Sequence, residues 1–449
     1  AYPEGVEVEI SQESWEATDI RFTLDGSPPN GTSPLYEQPV PVTDTSLLRA
    51  ASFVGEERAS PIVSATYLAG HIPSLPVMSI SLKPEEFVDI HLQQSGKGRG
   101  SERQAFLELF TPAGERVVAT GFGMRLHGGA GRRGGLEIKK SYRVYFRKSY
   151  GKGRVDYPII PTANVEDFDK LVLRANFGDG RAHGSYIRDQ MIRDLHSEMG
   201  GMASNGSWYV VLINGKSHGL YNVVERMDEE YFISHLGPGQ YDVIKTGNTV
   251  LSGTRQNWDQ LRDFISSTDF SNEENYQQLA SRVDIENFTA YMIVNLWVLN
   301  LDWPHNNWYA ARRIPDGKWV FLCWDSEWGL AGGPYGPEVD PYSFIDSGGA
   351  YGHGLSRKLF FALLGNPGYR EYYQQQVRKY LNGPLSPANA LRQTHHHRDI
   401  VVADIEHEFE TRGYGKERWH EQIKEIEEFT QNAGDYFQKH TDQYFAHKP

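Results

Sequence analysis

Up to about residue 225 the chain reads mainly as short alternations of apolar and polar residues separated by turn words, the period of half-buried strands. In the first 69 residues Val6–Ile10, Asp19–Leu24, Ser46–Phe53 and Ile62–Leu68 are predicted strands, and the turn-rich Asp25–Pro34 lies among them. Strands at this spacing predict a small β-sandwich. Ala69–Pro73 is the expected linker. Val77–Ile80, Phe106–Phe110, Gly121–Leu126 and Ser141–Phe146 continue the strand pattern, with the glycine-rich Gly128–Gly135 between the last two. Tyr209–Asn214 and Gly219–Glu225 predict a hairpin around Asn214-Gly215-Lys216-Ser217.

A helical period first emerges at Ser185–Met199, where Ile187, Met191, Ile192, Leu195 and Met199 form one apolar stripe. Asp284 is the expected cap of a helix running to about Leu299, and further helices are predicted at Ser356–Leu364, Tyr369–Leu381 and Glu417–Phe445. The whole is an α+β pattern.

The chemistry gathers where the Asp284 helix ends. Asp302 opens a polar loop, and Asn307 follows five positions later. Strand-like runs Trp308–Arg313 and Lys318–Trp324 flank the turn Pro315-Asp316-Gly317, and the second delivers Asp325. A hairpin of this kind folds two distant carboxylates and an amide onto one place. Phosphoryl transfer needs such a set: a hydroxyl held in line, and hard oxygen ligands for Mg²⁺. The same residues also fit a plain turn cap and a plain strand end.

Alternation along Lys139–Phe146 places Lys140, Tyr142, Val144 and Phe146 on one face, which makes Lys140 rather than Lys139 the candidate for nucleotide phosphates. A lysine at the solvated start of a strand is the other reading. Asp189 and Asp194 on the Ser185–Met199 helix are both available as its carboxylate partner. Glu225 ends the hairpin, either as a hinge residue near adenine or as a partner of Arg226 or another neighbour.

Composition changes this picture little. The 449 residues allow two or three domains, and a net charge of −13 argues against a general nucleic-acid binder. Within that acidic chain, the local basic cluster Arg125–Arg154 suits a phosphate-bearing ligand. No apolar run is long enough for a membrane helix; the best, Ala290–Leu301, is interrupted by Asn295 and Asn300. The chain starts at Ala1 with no export signal in view. Cys323 is the single cysteine, expected to be a buried small hydrophobe. His395–His397 are expected on a solvated face rather than on a metal, since adjacent histidines cannot share one helix face.

The words DWPHNNWY (Asp302–Tyr309) and GKWVFLCWDSEWG (Gly317–Gly329) resemble the spore-coat protein H (CotH) family of secreted kinase-like proteins. The resemblance continues upstream in Gly123–Phe146, Leu171–Leu195 and Tyr209–Asp228. It covers roughly residues 73–363 and implies a protein-kinase-like fold transferring phosphate from ATP with Mg²⁺ or Mn²⁺. In that reading Asp302 orients or deprotonates the acceptor hydroxyl, Asp325 and Asn307 hold the metal, and Lys140 and Glu225 serve the nucleotide. Trp319, in the family's GKW word, stacks near adenine. The family often shows WDxD where this chain has Trp324-Asp325-Ser326-Glu327, which leaves the second acid's role open.

Residues 1–69 resemble the chitobiase/β-hexosaminidase C-terminal type of immunoglobulin-like module, chiefly a spacer, with surface carbohydrate as the alternative ligand. The expected organisation is therefore an N-terminal β-sandwich module (1–70) and a two-lobed kinase-like domain (71–449), with a small lobe to about 226 and a large lobe beyond. The expected setting is bacterial and extracellular or at the cell surface, with an exported protein as the expected acceptor. Two rivals stand beside it. A catalytically inactive surface or assembly protein would show no Mg²⁺-dependent stabilisation by ATP, and a metal-assisted hydrolase would act on glycans without ATP.

Overall fold

The computed structural model describes residues 1–12, 18–165, 167–176, 178–179, 184–346 and 354–446. Part of the word Leu171–Leu195, at 177 and 180–183, therefore lies outside the described residues. Contacts divide the chain into two compact units: 1–177, 207–224 and 400–414 in the first, and 178–206, 225–399 and 415–449 in the second.

The first unit opens with β1 (Val6–Val8), β2 (Asp19–Thr23), β3 (Val40–Val42), β4 (Ser46–Val54), β5 (Glu57–Arg58) and β6 (Val63–Tyr67). β1 pairs with β3, while β4 is flanked by β2 and β5 and also pairs with β6. Val8, Val42, Leu48, Ala50 and Ala69 form the small core of this β-rich module.

The chain continues through β7 (Val77–Ser81), α1 (Pro84–Leu92), β8 (Arg103–Phe110), β9 (Arg116–Leu126), β10 (Tyr142–Tyr145) and β11 (Lys170–Arg174). It leaves for α2 (Arg188–Glu198) and β12 (Met202–Ala203), then returns as β13 (Gly206–Ile213) and β14 (Lys216–Glu225). β7–β11, β13 and β14 close a seven-stranded barrel in the order β10-β11-β14-β13-β7-β8-β9. Its interior takes every second residue: Met124 and Leu126 from β9, Tyr142 and Val144 from β10, Leu171 and Leu173 from β11. Helix α1 was not foreseen, although Pro84 at its first turn and Glu85 and Glu86 behind it are start signals.

The module does not hang on a free linker. Thr66 donates its N–H (3.0 Å) and hydroxyl (2.7 Å) to Glu108 of β8, and the same hydroxyl lies 2.7 Å from that of Ser79 on β7. All three side chains are buried. The expected boundary at residue 70 is thus bridged by a buried polar contact.

In the second unit, α3 (Glu229–Leu236), β15 (Gln240–Lys245), β16 (Thr249–Ser252), α4 (Gln256–Ser267), α5 (Glu273–Ala280) and α6 (Ile285–Trp297) precede β17 (Trp308–Ile314) and β18 (Val320–Cys323). The sheet order is β12-β18-β17-β15-β16, with β12 parallel to β18 and β17 antiparallel to it. Helices α7 (Pro341–Asp346), α8 (Leu355–Leu363), α9 (Pro367–Leu381), α10 (Pro387–Thr411) and α11 (Lys416–Ala446) complete the chain, and the end of α10 belongs to the first unit. The turn of three histidines lies on α10, where His395 pairs with Glu427 and His397 with Asp194, both at 3.0 Å. Among the described residues no helix is long and apolar enough to cross a membrane.

Candidate active site

Helix α6 aims the site. Asp284 caps it by accepting the Asn287 N–H (3.0 Å), as the sequence predicts. Asn287 and Asn295, about two turns apart, project from the helix toward β18. The first accepts the Phe321 N–H (2.6 Å), and the second donates to the Cys323 sulfur (3.2 Å). The two asparagines that look like flaws in an apolar helix therefore fix the strand that ends at Asp325. Cys323 is buried, and burial pushes its thiol well above the usual range, so it is not a nucleophile. Asn300 closes the series by donating to Asn295 (3.0 Å).

The loop after α6 folds back on Asp302. Its Oδ2 accepts from Asn306 (3.0 Å) and Asn307 (2.8 Å), and its Oδ1 lies 3.1 Å from His305 Nε2. The Asn307 amide also donates to the Asp325 carbonyl (2.9 Å). The β17–β18 register makes this possible: Trp308 pairs with Cys323, so the next residues outward are Asn307 and Trp324. Asn307 and Asp325 both take left-handed backbone, at φ 56° and 57°. That region is sparsely used outside glycine, though Asn and Asp enter it most readily. The kink at Asp325 turns the chain off the strand direction.

The electrostatics follow from this packing. Burial raises the proton affinity of Asp302, and the charge of Asp325 adds to it, while Asn306, His305 and Asn307 pull the other way. Asp302 and Asp325 are half-buried. With the Asn307 amide nitrogen spent on two acceptors, its oxygen is the atom left for a cation. Two carboxylates and an amide oxygen are a hard donor set that suits Mg²⁺, which keeps several waters and bridges phosphate oxygens. Among the described residues no group of three or more His, Cys, Asp or Glu is placed to hold a metal ion by itself.

Glu327, the departure from WDxD, turns elsewhere. Its carboxylate accepts the N–H groups of Gly178 (2.9 Å) and Asp179 (3.2 Å). Asp179 is itself buried against Arg188 (2.6 Å) and Ser185 (2.5 Å). Asp189 accepts the Ser326 N–H (2.7 Å) and pairs with Arg193 (3.1 Å), so α2 holds the loop just after Asp325. Asp189 and Asp194 are thus committed within their own unit, as loop anchor and as partner of His397. Sequence reasoning assigned Asp179, Arg188 and Arg193 no role, because nothing in their spacing announces a buried ion pair.

The other expected residues lie apart. Glu225 accepts from Asn205 N–H (3.0 Å) and side chain (2.8 Å) and faces His235 (2.6 Å) rather than Arg226. The chain passes from the first unit to the second between Val224 and Glu225. Trp319 is 2% exposed and meets Trp258 edge-on at 4.9 Å. Six positions of extended chain, about 20 Å, separate it from Asp325. The structure makes it a core tryptophan, and little of its ring remains for adenine.

In the first unit, Lys140 is buried with its ammonium on the carbonyls of His91 (2.9 Å) and Gly134 (2.8 Å). It does point inward with Tyr142 and Val144, but onto carbonyls rather than a carboxylate. The lysine that has one is Lys139, 2.8 and 3.0 Å from Glu408 on α10. Burial lowers its pKa to about 8 against the pull of Glu408. Lys140, the candidate for nucleotide phosphates, thus meets backbone carbonyls, while the acid-paired lysine is its neighbour Lys139. The partner is 269 positions away, beyond the reach of any strand alternation.

Comparison with solved structures finds a distant likeness to the Helicobacter pylori proinflammatory kinase CtkA, at 11% identity over 62% of this chain and 92% of that one, with a TM-score of 0.26. Another is to HipA in a Shewanella oneidensis MR-1 toxin–antitoxin complex with HipB and operator DNA, at 11% identity over 71% of this chain and 67% of that one, with a TM-score of 0.24. No curated protein matches the chain. Residues 8–67 match the Fn3-associated family, a coarser description than the chitobiase type expected for the module. Residues 125–437, more than half of the chain and including Asp302, Asn307 and Asp325, match the model of the CotH kinase protein family, and the chain belongs to that family.

Proposed function

We propose that this protein is an atypical kinase that transfers phosphate from ATP to a hydroxyl of an exported protein or a small molecule, outside the cell, with Mg²⁺ or Mn²⁺ as cofactor. The carrying observation is the direct link among Asp302, Asn307 and Asp325, made by one amide that reaches both acidic residues. Asp302 is the group for the acceptor hydroxyl. Its raised proton affinity favours accepting a proton, and its two amide donors fix its orientation. Asp325 and the Asn307 oxygen would hold the metal, which when bound neutralises charge on the phosphates. Glu327 supports the loop from behind and takes no part in this set.

The test is a split between two variants. Asp302→Asn keeps shape while losing the proton acceptor, and is expected to bind Mg-ATP with transfer reduced by about two powers of ten or more. Asp325→Ala is expected to lose the stabilisation that Mg-ATP gives the parent. Calorimetric titration and transfer of labelled phosphate on the same preparations separate the two. Full turnover in Asp302→Asn would remove the kinase reading. Loss of ATP binding in both variants would make Asp302 chiefly a metal ligand.

A further inference from the structure

Between the N-terminal module and the barrel, a short stretch of chain is tied to α10 by a pair of rings. Upstream of it, the Thr45 hydroxyl bonds both the carbonyl (3.1 Å) and the N–H (3.2 Å) of Ala69, and Gly70 donates its N–H to the Tyr2 carbonyl (3.3 Å). Downstream, Asp404 of α10 accepts the N–H groups of Ser74 (3.2 Å) and Leu75 (3.0 Å) and the Ser74 hydroxyl (2.6 Å). Between these anchors His71, Ile72 and Pro73 make no hydrogen bond among the described residues. What meets them is His407, three positions after Asp404 on the same side of α10. Its imidazole stacks on that of His71, with centroids 3.7 Å and planes 18° apart. Both rings line a cavity of about 480 Å³ whose apolar wall is Leu68, Val210 and Leu212, all buried.

The charge on the rings decides whether they stay together. Two neutral imidazoles pack face to face, and one proton is tolerated because a cation is attracted to the face of a neutral ring. Two protons put like charges 3.7 Å apart, where they repel even in water. Burial lowers the proton affinity of His71, the charge of His407 lowers it further, and Asp404 opposes both. The other charges lining the cavity are Asp44, Glu408 and Arg412. Glu408 and Arg412 pair with each other (3.0 Å), and Asp44 accepts from the Thr43 hydroxyl (3.3 Å). Among the described residues β13 and β14 bring no charge to the lining. A lowered affinity in the closed form means that the open form binds the proton more tightly. Opening is therefore favoured as the pH falls below the ordinary histidine value of 6.5.

We infer that the His71–His407 stack is an acid-released clasp: it holds residues 71–73 on α10 while at most one ring is charged, and lets them go when both are. Release uncovers the apolar wall of the cavity, while the Asp404 anchor keeps the rest of the chain in place. The clasp uses no residue of the kinase reading.

The experiment is limited proteolysis of the full chain at pH 7 and pH 5 with a protease of broad specificity, counting only cuts at residues 70–73 by fragment mass. Parent and His407→Phe are compared at each pH, so that the protease's own pH dependence cancels. Phenylalanine keeps a ring for stacking and cannot take the second proton. The two chains are expected to be cut equally at pH 7, and the parent roughly tenfold faster at pH 5. His71→Phe, the reciprocal change, is expected to match His407→Phe, and thermal melts at pH 7 show that both fold as the parent does. His407→Gln, which removes the ring, is expected to be cut fast at both pH values. A parent-to-His407→Phe ratio that stays the same from pH 7 to pH 5 overturns the inference. So does a parent uncut at 70–73 in acid, or a His407→Gln chain as resistant as the parent at pH 7.

Discussion

Asp302 is a half-buried carboxylate held by two asparagine amides and facing a second acid. Its folded proton affinity lies above the ordinary aspartate value, so the ionised form costs the folded state at neutral pH. That cost disappears as the pH falls through the raised pKa. Without metal at pH 7, Asp302→Asn is therefore expected to melt at or above the parent, and the gain should shrink on acidification. Thermal melts from pH 7 to pH 4 check this; a gain that grows toward acid would reverse the assignment.

Lys139 shows the opposite sign. Its pKa falls from 10.5 to about 8, so between those values the folded protein sheds the proton first and this group adds stability as pH rises. Its ion pair with Glu408 exists while the lysine is charged. Glu408→Gln is thus expected to cost on the order of 3 kcal/mol near neutral pH, and less above about pH 8. Denaturant unfolding at pH 7 and 9 reads both numbers. The side-chain identities at these sites are plain in the sequence, whereas the proton affinities come from what surrounds them.

Among elements, α6 with the β17–β18 hairpin was the most legible part. A capping Asp284, an apolar stripe and the Pro315-Asp316-Gly317 turn predict it within two or three residues. What pattern reading missed is why Asn287 and Asn295 interrupt the helix, since their partners Phe321 and Cys323 lie on a strand reached only after the hairpin closes. Replacing Asp284 by Ala should cost about 1 kcal/mol through the lost cap. Asn295→Leu should cost more, about 1–3 kcal/mol, by leaving buried Asn300 without its acceptor. Hydrogen exchange at the Cys323 and Trp324 amides should accelerate in Asn295→Leu more than in Asp284→Ala. Equal protection in both would mean the asparagine does not hold β18.

For the molecule as a whole, the Fn3-associated module and the barrel share a buried contact through Thr66, Ser79 and Glu108. Thr66→Val keeps volume but removes a hydroxyl on which Glu108 depends, and is expected to destabilise the first unit by about 1–3 kcal/mol. A melt superimposable on the parent would return the module to the role of a free spacer.

By itself the sequence determined the order and type of most elements, because hydrophobic period, caps and turn residues act within a few positions. It also determined the identity of the candidate site, since Asp302, Asn307 and Asp325 are brought together by one short hairpin. Tertiary structure alone decided which lysine meets an acid, where Glu327 turns, and that Trp319 lies in the core. Those outcomes depend on residues from β10, α10, the 178–179 turn and α4, hundreds or tens of positions away. Burial and the charges of such distant neighbours leave no local pattern to read.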